Sequence, residues 1–140
     1  MTAADQPNRH DEPAPTIGEI EEISAVAYAS IPALLRDKVT EVVIRVVEFP
    51  DAETSEEMEL ETPFDLLGLY HGIDLPHQSV SDPPREPDII FLYRRPLLDY
   101  WGENEVTLGE LVRHVLIHEI GHHFGFSDDD MAWIETQPRP

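Results

Sequence analysis

Apolar residues return at helical spacing in two stretches of this chain and gather into short β-forming runs between them. The clearest pattern is Leu108, Leu111, Val112, Val115, Leu116 and Ile120, whose steps of three and four place one apolar stripe along a helix. Thr107 followed by Glu110 is T-x-x-E, a capping-box start signal, and the pattern runs to Phe124 before Gly125 stops it. The spacing predicts a helix of about 16 residues ending at that glycine. A second capping box, Thr16 with Glu19, opens a helix through Ile20, Ile23, Val26 and Ala27, and Pro32 starts a short helical turn holding Leu34 and Leu35. Val39 to Phe49 is rich in valine and isoleucine and bounded by Pro50, so it reads as a strand. Asp88 to Arg94 alternates only weakly but is strongly β-forming and reads as another, ended by Pro96, with a turn or short helix from Leu97 to Trp101. Phe64 to Leu75, apolar with Gly68 and Gly72, is a short strand or a structured loop. Ser127 caps a last short helix over Asp128 to Thr136.

The polar stretches divide the chain. Met1 to Pro15 is too polar to join a core and reads as a disordered tail. Residues 16–136 form the single domain, and 137–140 are a short tail. Asp51 to Glu61 holds six carboxylates in eleven residues and is a solvated loop or a loose helix. Pro76 to Pro87 carries four prolines; it is a mobile loop, either a lid or an ordinary surface connection. The order of elements is helix, strand, loop or strand, strand, helix, helix. That order predicts an α+β domain in which a small mixed or antiparallel sheet packs on helices. A cleft then forms most simply between a sheet edge and the helix that starts at Thr107, where an extended peptide can pair with the edge strand.

Composition narrows the partners. The 140 residues include 29 acidic and 9 basic side chains, a net charge of -20, so nucleic acid and anionic membranes are repelled. The acidic surface is either simply solvated or attractive to cationic peptides. Cysteine is absent, which removes disulfides and thiolate chemistry. The first 16 residues lack the apolar core of a signal peptide, and no run has membrane-spanning length. A cytoplasmic, monomeric protein is expected.

The chemistry lies at residues 118–128, His-Glu-Ile-Gly-His-His-Phe-Gly-Phe-Ser-Asp, which contain H-E-x-x-H and continue as H-E-x-x-H-x-x-G-x-x-D. His118 and His122 are four apart and share one helix face, where both can hold a zinc ion. Glu119 lies beside that face and can take a proton from a water molecule. Gly125 lets the chain turn back so that Asp128 serves as third ligand, leaving the fourth position open, the mark of a catalytic site. At average residue frequencies H-E-x-x-H alone arises in roughly one chain in a few hundred of this length, and the added Gly and Asp lower that by a factor of about two hundred. One zinc per chain is expected. His114, one turn back on the same stripe, is either a partner of the ligands or simply half-buried. His123 points off the stripe and receives no role. The donor that would steady the developing oxyanion is left among Tyr70, His71, His77, Tyr93 and Arg94.

His118 to Met131, H-E-I-G-H-H-F-G-F-S-D-D-D-M, closely resembles the signature of the small bacterial zincin-like metallopeptidase family, one-domain minimal zincins. The segments Leu66-Leu67-Gly68-Leu69-Tyr70 and Ile90 to Pro96 are similar to it as well, so the resemblance runs from about Ile17 to Glu135. It implies a zincin-like fold with the motif on a C-terminal helix, zinc on His118, His122 and Asp128, and Glu119 as base. The expected activity is hydrolysis of a peptide or unfolded protein. The alternatives are a zinc-binding module that holds a partner peptide without cleaving it, and a regulatory protein with a vestigial site. Met131, three residues past Asp128, is expected to be a core residue rather than a methionine turn beneath the metal.

Overall fold

A computed structural model describes residues 13–39, 41–72 and 87–139. Helix α1, Ile17–Ala29, begins where its signal predicts: the Thr16 hydroxyl accepts the Glu19 N–H and the Glu19 carboxylate accepts the Thr16 N–H, both at 3.1 Å. Pro32 leads into α2, Ala33–Arg36. Strand β1 covers Val42–Val47, less than the predicted run, because the Val39 N–H bonds back to Arg36 and strand pairing ends at Val47. In the acidic stretch the helical option is realised as α3, Ala52–Glu57, capped by Asp51 and burying no side chain. A 3-10 turn at Pro63–Asp65 precedes β2, Gly68–His71. Strand β3, Asp88–Tyr93, passes directly into α4, Arg94–Glu103. Sequence reasoning placed that helix after Pro96. Proline in a first turn removes only an N–H that has no partner inside the helix, so the helix starts earlier. Helices α5, Leu108–His123, and α6, Asp128–Glu135, complete the chain.

The sheet is mixed, in the order β1-β3-β2. Strand β1 runs parallel to β3 from Val42 opposite Asp88 to Val47 opposite Tyr93. Strand β2 runs antiparallel to β3 from Gly68 opposite Leu92 to His71 opposite Ile89. Ile90 and Leu92 of β3, Ile20 of α1 and Leu35 of α2 meet Val112, Leu116, Ile117 and Ile120 of α5 in one core. Each such burial contributes roughly 1.5–3 kcal/mol. The chain is therefore α+β, a small sheet packed on helices with the histidine motif on the long C-terminal helix α5. None of the described helices is long and apolar enough to cross a membrane.

Residues 1–12 of the expected tail, residues 73–86 with most of the proline-rich loop, and His77 lie outside the described residues. The last residue of that tail is tied to the domain: the Pro15 carbonyl accepts a hydrogen bond from Arg94 Nε at 2.7 Å.

Candidate metal centre

Thr107 starts α5 by accepting the Glu110 N–H at 3.1 Å. The reciprocal half of the predicted box is replaced, since the Glu110 carboxylate pairs with Arg139. At the other end Gly125 has φ +82°, a conformation that glycine adopts without a side-chain penalty. The Phe126 N–H reaches Gly121 O at 2.8 Å and the Gly125 N–H reaches His122 O at 3.2 Å, the paired bonds of a Schellman ending. The chain is turned so that α6 can begin at once. Ser127 accepts the Asp130 N–H at 3.0 Å and Asp130 accepts the Ser127 N–H at 3.2 Å.

Helix α6 packs on α5 through Met131 and Ile134, both buried. Met131 takes the space over Gly121: a Cβ on that glycine would lie 2.2 Å from Met131 Sδ and 2.8 Å from its Cγ. Met131 is thus the core residue the sequence predicted. It sits one turn of α6 past Asp128, and so fixes where Asp128 stands relative to α5.

These contacts bring the predicted ligands together. The donor atoms of His118, His122 and Asp128 all lie within 4.8 Å of one another. His122 Nε2 is 3.4 Å from Asp128 Oδ1. Donors about 2.0–2.1 Å from a tetrahedral zinc ion stand roughly 3.3 Å apart, close to the spacing that His122 and Asp128 already show, and a set of two imidazoles and one carboxylate suits such an ion chemically. His118 is partly buried. Burial first, and the neighbouring His114 next, hold its pKa below the ordinary value, against the pull of Glu135, which favours the neutral ring that ligates metal.

Glu119 points to the sheet. Its Oε1 accepts the Tyr70 N–H at 3.2 Å, which ties it to edge strand β2. Burial pushes its carboxyl above the usual range, opposed by that amide and by His122; a raised pKa makes a better proton acceptor near neutrality. Tyr70 is itself anchored. Its ring stacks on His123 with centroids 4.0 Å apart and planes 19° apart, and its hydroxyl donates to Asp88. His123, which had no role from its position on the helix, pins the end of α5 to β2.

Two residues join the neighbourhood from outside the motif. Glu135, which sequence reasoning did not single out, has its Oε1 2.9 Å from His118 Nε2 and 2.9 Å from His114 Nδ1. The available signal was its place seven residues past Asp128, two turns along α6 on the same face. His114 stays half exposed while it contacts His118, ring centroids 4.0 Å apart. Among the oxyanion-donor candidates, the Tyr70 hydroxyl faces Asp88 and Arg94 is engaged by Glu48 at 2.9 Å. Tyr93 is buried, its hydroxyl pushed up to about 12 by burial first, then by Asp51 and Glu119. The His71 ring stands edge-on to Phe91.

Residues 39–137 match the zincin-like metallopeptidase family. The match takes in the sheet, α5 and α6 and begins after α1. No curated protein matches the chain.

Proposed function

Because this chain belongs to the zincin-like metallopeptidase family, we propose that it hydrolyses peptide bonds, with one zinc ion on His118, His122 and Asp128 and with Glu119 as general base. The observation that carries this reading is the convergence of three donor atoms from α5 and α6 within 4.8 Å, beside a half-buried carboxylate held by a backbone amide. Bound zinc supplies Lewis-acid polarisation of the scissile carbonyl and lowers the pKa of water. His118 and His122 would ligate through ring nitrogens, and Asp128 would add one negative charge to the donor set. Glu119 takes the proton from the attacking water and delivers it to the departing amine. The Tyr70 N–H orients its carboxylate, and the stack of Tyr70 on His123 keeps that amide in place.

The substrate in this reading is a short or unfolded peptide. Strand β2 is the sheet edge that packs on α5, and its Tyr70 amide reaches Glu119. A peptide laid along that edge therefore passes the base and the ligands. Edge pairing recognises backbone and needs an extended chain, which folded proteins do not offer.

The test is a diverse peptide library incubated with the zinc-reconstituted protein, with chelator and with zinc restored. Cleavage lost with chelator and regained with zinc is expected. A protein that takes up zinc and binds peptides from the library without cutting any is a binding module, and this proposal then fails.

A further inference from the structure

We propose that the chain has a second metal position, formed by His114, His118 and Glu135, and that it excludes the catalytic one because His118 serves both. The exclusion rests on the reading of His118, His122 and Asp128 as the catalytic ligands; the second donor set stands on its own geometry. The donor atoms of His114, His118 and Glu135 lie within 4.8 Å of one another. Glu135 Oε1 is 2.9 Å from His114 Nδ1 and from His118 Nε2. His114 and His118 are one turn apart on α5, the same relation that joins His118 to His122. Helix α6 supplies a carboxylate at each end, Asp128 at its first residue and Glu135 at its last. Both sets are two imidazoles and one carboxylate, so chemistry alone does not favour one over the other for a borderline ion.

The shared residue makes this a choice of positions. His118 Nε2 faces Glu135, and a neutral imidazole has one lone-pair nitrogen, so the ring holds one ion at a time. An ion on His114, His118 and Glu135 sits toward the preceding turn of α5, away from His122. There it is out of register with Glu119, which lies between His118 and His122 in sequence and answers to His122 electrostatically. Metal held there is bound but idle, and it takes a ligand from the working site.

The experiment titrates cobalt(II), whose visible bands report its ligand geometry, into the metal-stripped full chain. In the variant carrying His122→Ala and Asp128→Ala, one equivalent of cobalt should still bind with bands of low coordination number. Adding His114→Ala, or alternatively the isosteric Glu135→Gln, should weaken that binding at least tenfold, with far-UV circular dichroism unchanged. The wild-type chain should saturate at one equivalent. No cobalt binding in the first variant, or binding indifferent to both His114→Ala and Glu135→Gln, overturns the second position. Two equivalents on the wild-type chain overturn the sharing of His118. These readouts do not involve peptide cleavage, so they separate this proposal from the catalytic one.

Discussion

Gly121→Ala tests how the fold sets the proposed metal ligands. In an ordinary helix interior this change stabilises by about 1 kcal/mol, since glycine is that much less helical than alanine. Here the new methyl would stand 2.2 Å from Met131 Sδ and 2.8 Å from Met131 Cγ. Met131 is fully buried and has no solvent side to move toward, so α6 must shift or Met131 must leave its rotamer. Overpacking of this kind costs typically 1–3 kcal/mol. The balance is a net loss of about 1 kcal/mol, or roughly 4 °C in the thermal midpoint for a domain near this size. The same displacement moves Asp128, one turn before Met131, away from His122, so zinc affinity should fall together with stability. Denaturant unfolding with chelator present measures the first effect, and competition with a chromophoric chelator measures the second. Adding Met131→Ala should relieve part of the damage, giving a favourable coupling of about 1 kcal/mol or more in a double-mutant cycle. A Gly121→Ala protein more stable than wild type and binding zinc equally well would mean that α6 is not set by this contact.

Three further outcomes follow from the same structure. In a His114→Ala background, where only His118, His122 and Asp128 remain as a complete ligand set, Asp128→Ala should weaken zinc by more than about 100-fold, beyond the roughly 10–100-fold that loss of an outer partner costs; competition titration decides it. Tyr93, with its pKa raised to about 12, stabilises the fold fully below pH 10 and loses that contribution as pH rises through 12, since the unfolded chain gives up the proton first. Stability should therefore fall by on the order of 1–2 kcal/mol across that window, and Tyr93→Phe should flatten the slope; an unchanged slope in the variant contradicts the assignment. Removal of residues 1–12 should leave the thermal midpoint within a few degrees of wild type, because that stretch is too polar to join a core. Removal through Pro15 should cost about 0.5–1.5 kcal/mol more by taking away the carbonyl that Arg94 Nε binds; equal midpoints for the two truncations would show that bond to be idle.

What could be read from the sequence was what neighbouring residues decide among themselves. The Thr16, Thr107 and Ser127 caps and the Gly125 ending depend on residues within one turn, and each forms at its predicted place. The histidine spacing is likewise local to α5. The mixed order β1-β3-β2 depends on pairing between distant segments, which weak alternation in Asp88 to Arg94 does not specify. The early start of α4 is hidden in the sequence because a proline after a β-forming run reads as a stop, whereas a first turn tolerates it. Glu135, His123 and the fit of Met131 over Gly121 acquire meaning only once α6 lies against α5 and the end of α5 against β2. A glutamate at the end of an acidic helix gives no sign of facing two histidines until that crossing is made. Gly121 inside H-E-x-x-H looked like an unassigned variable position; its missing Cβ is what seats α6.

In the proposed reaction Glu119 moves the proton while His118, His122 and Asp128 hold the ion. The most direct measurement is peptide-library cleavage by Glu119→Gln beside wild type, both carrying zinc measured by elemental analysis. The amide keeps the shape of the side chain but accepts no proton at neutral pH. About one equivalent of zinc is expected in both proteins, with cleavage by wild type alone. Cleavage by zinc-loaded Glu119→Gln at the wild-type rate would rule out Glu119 as the base.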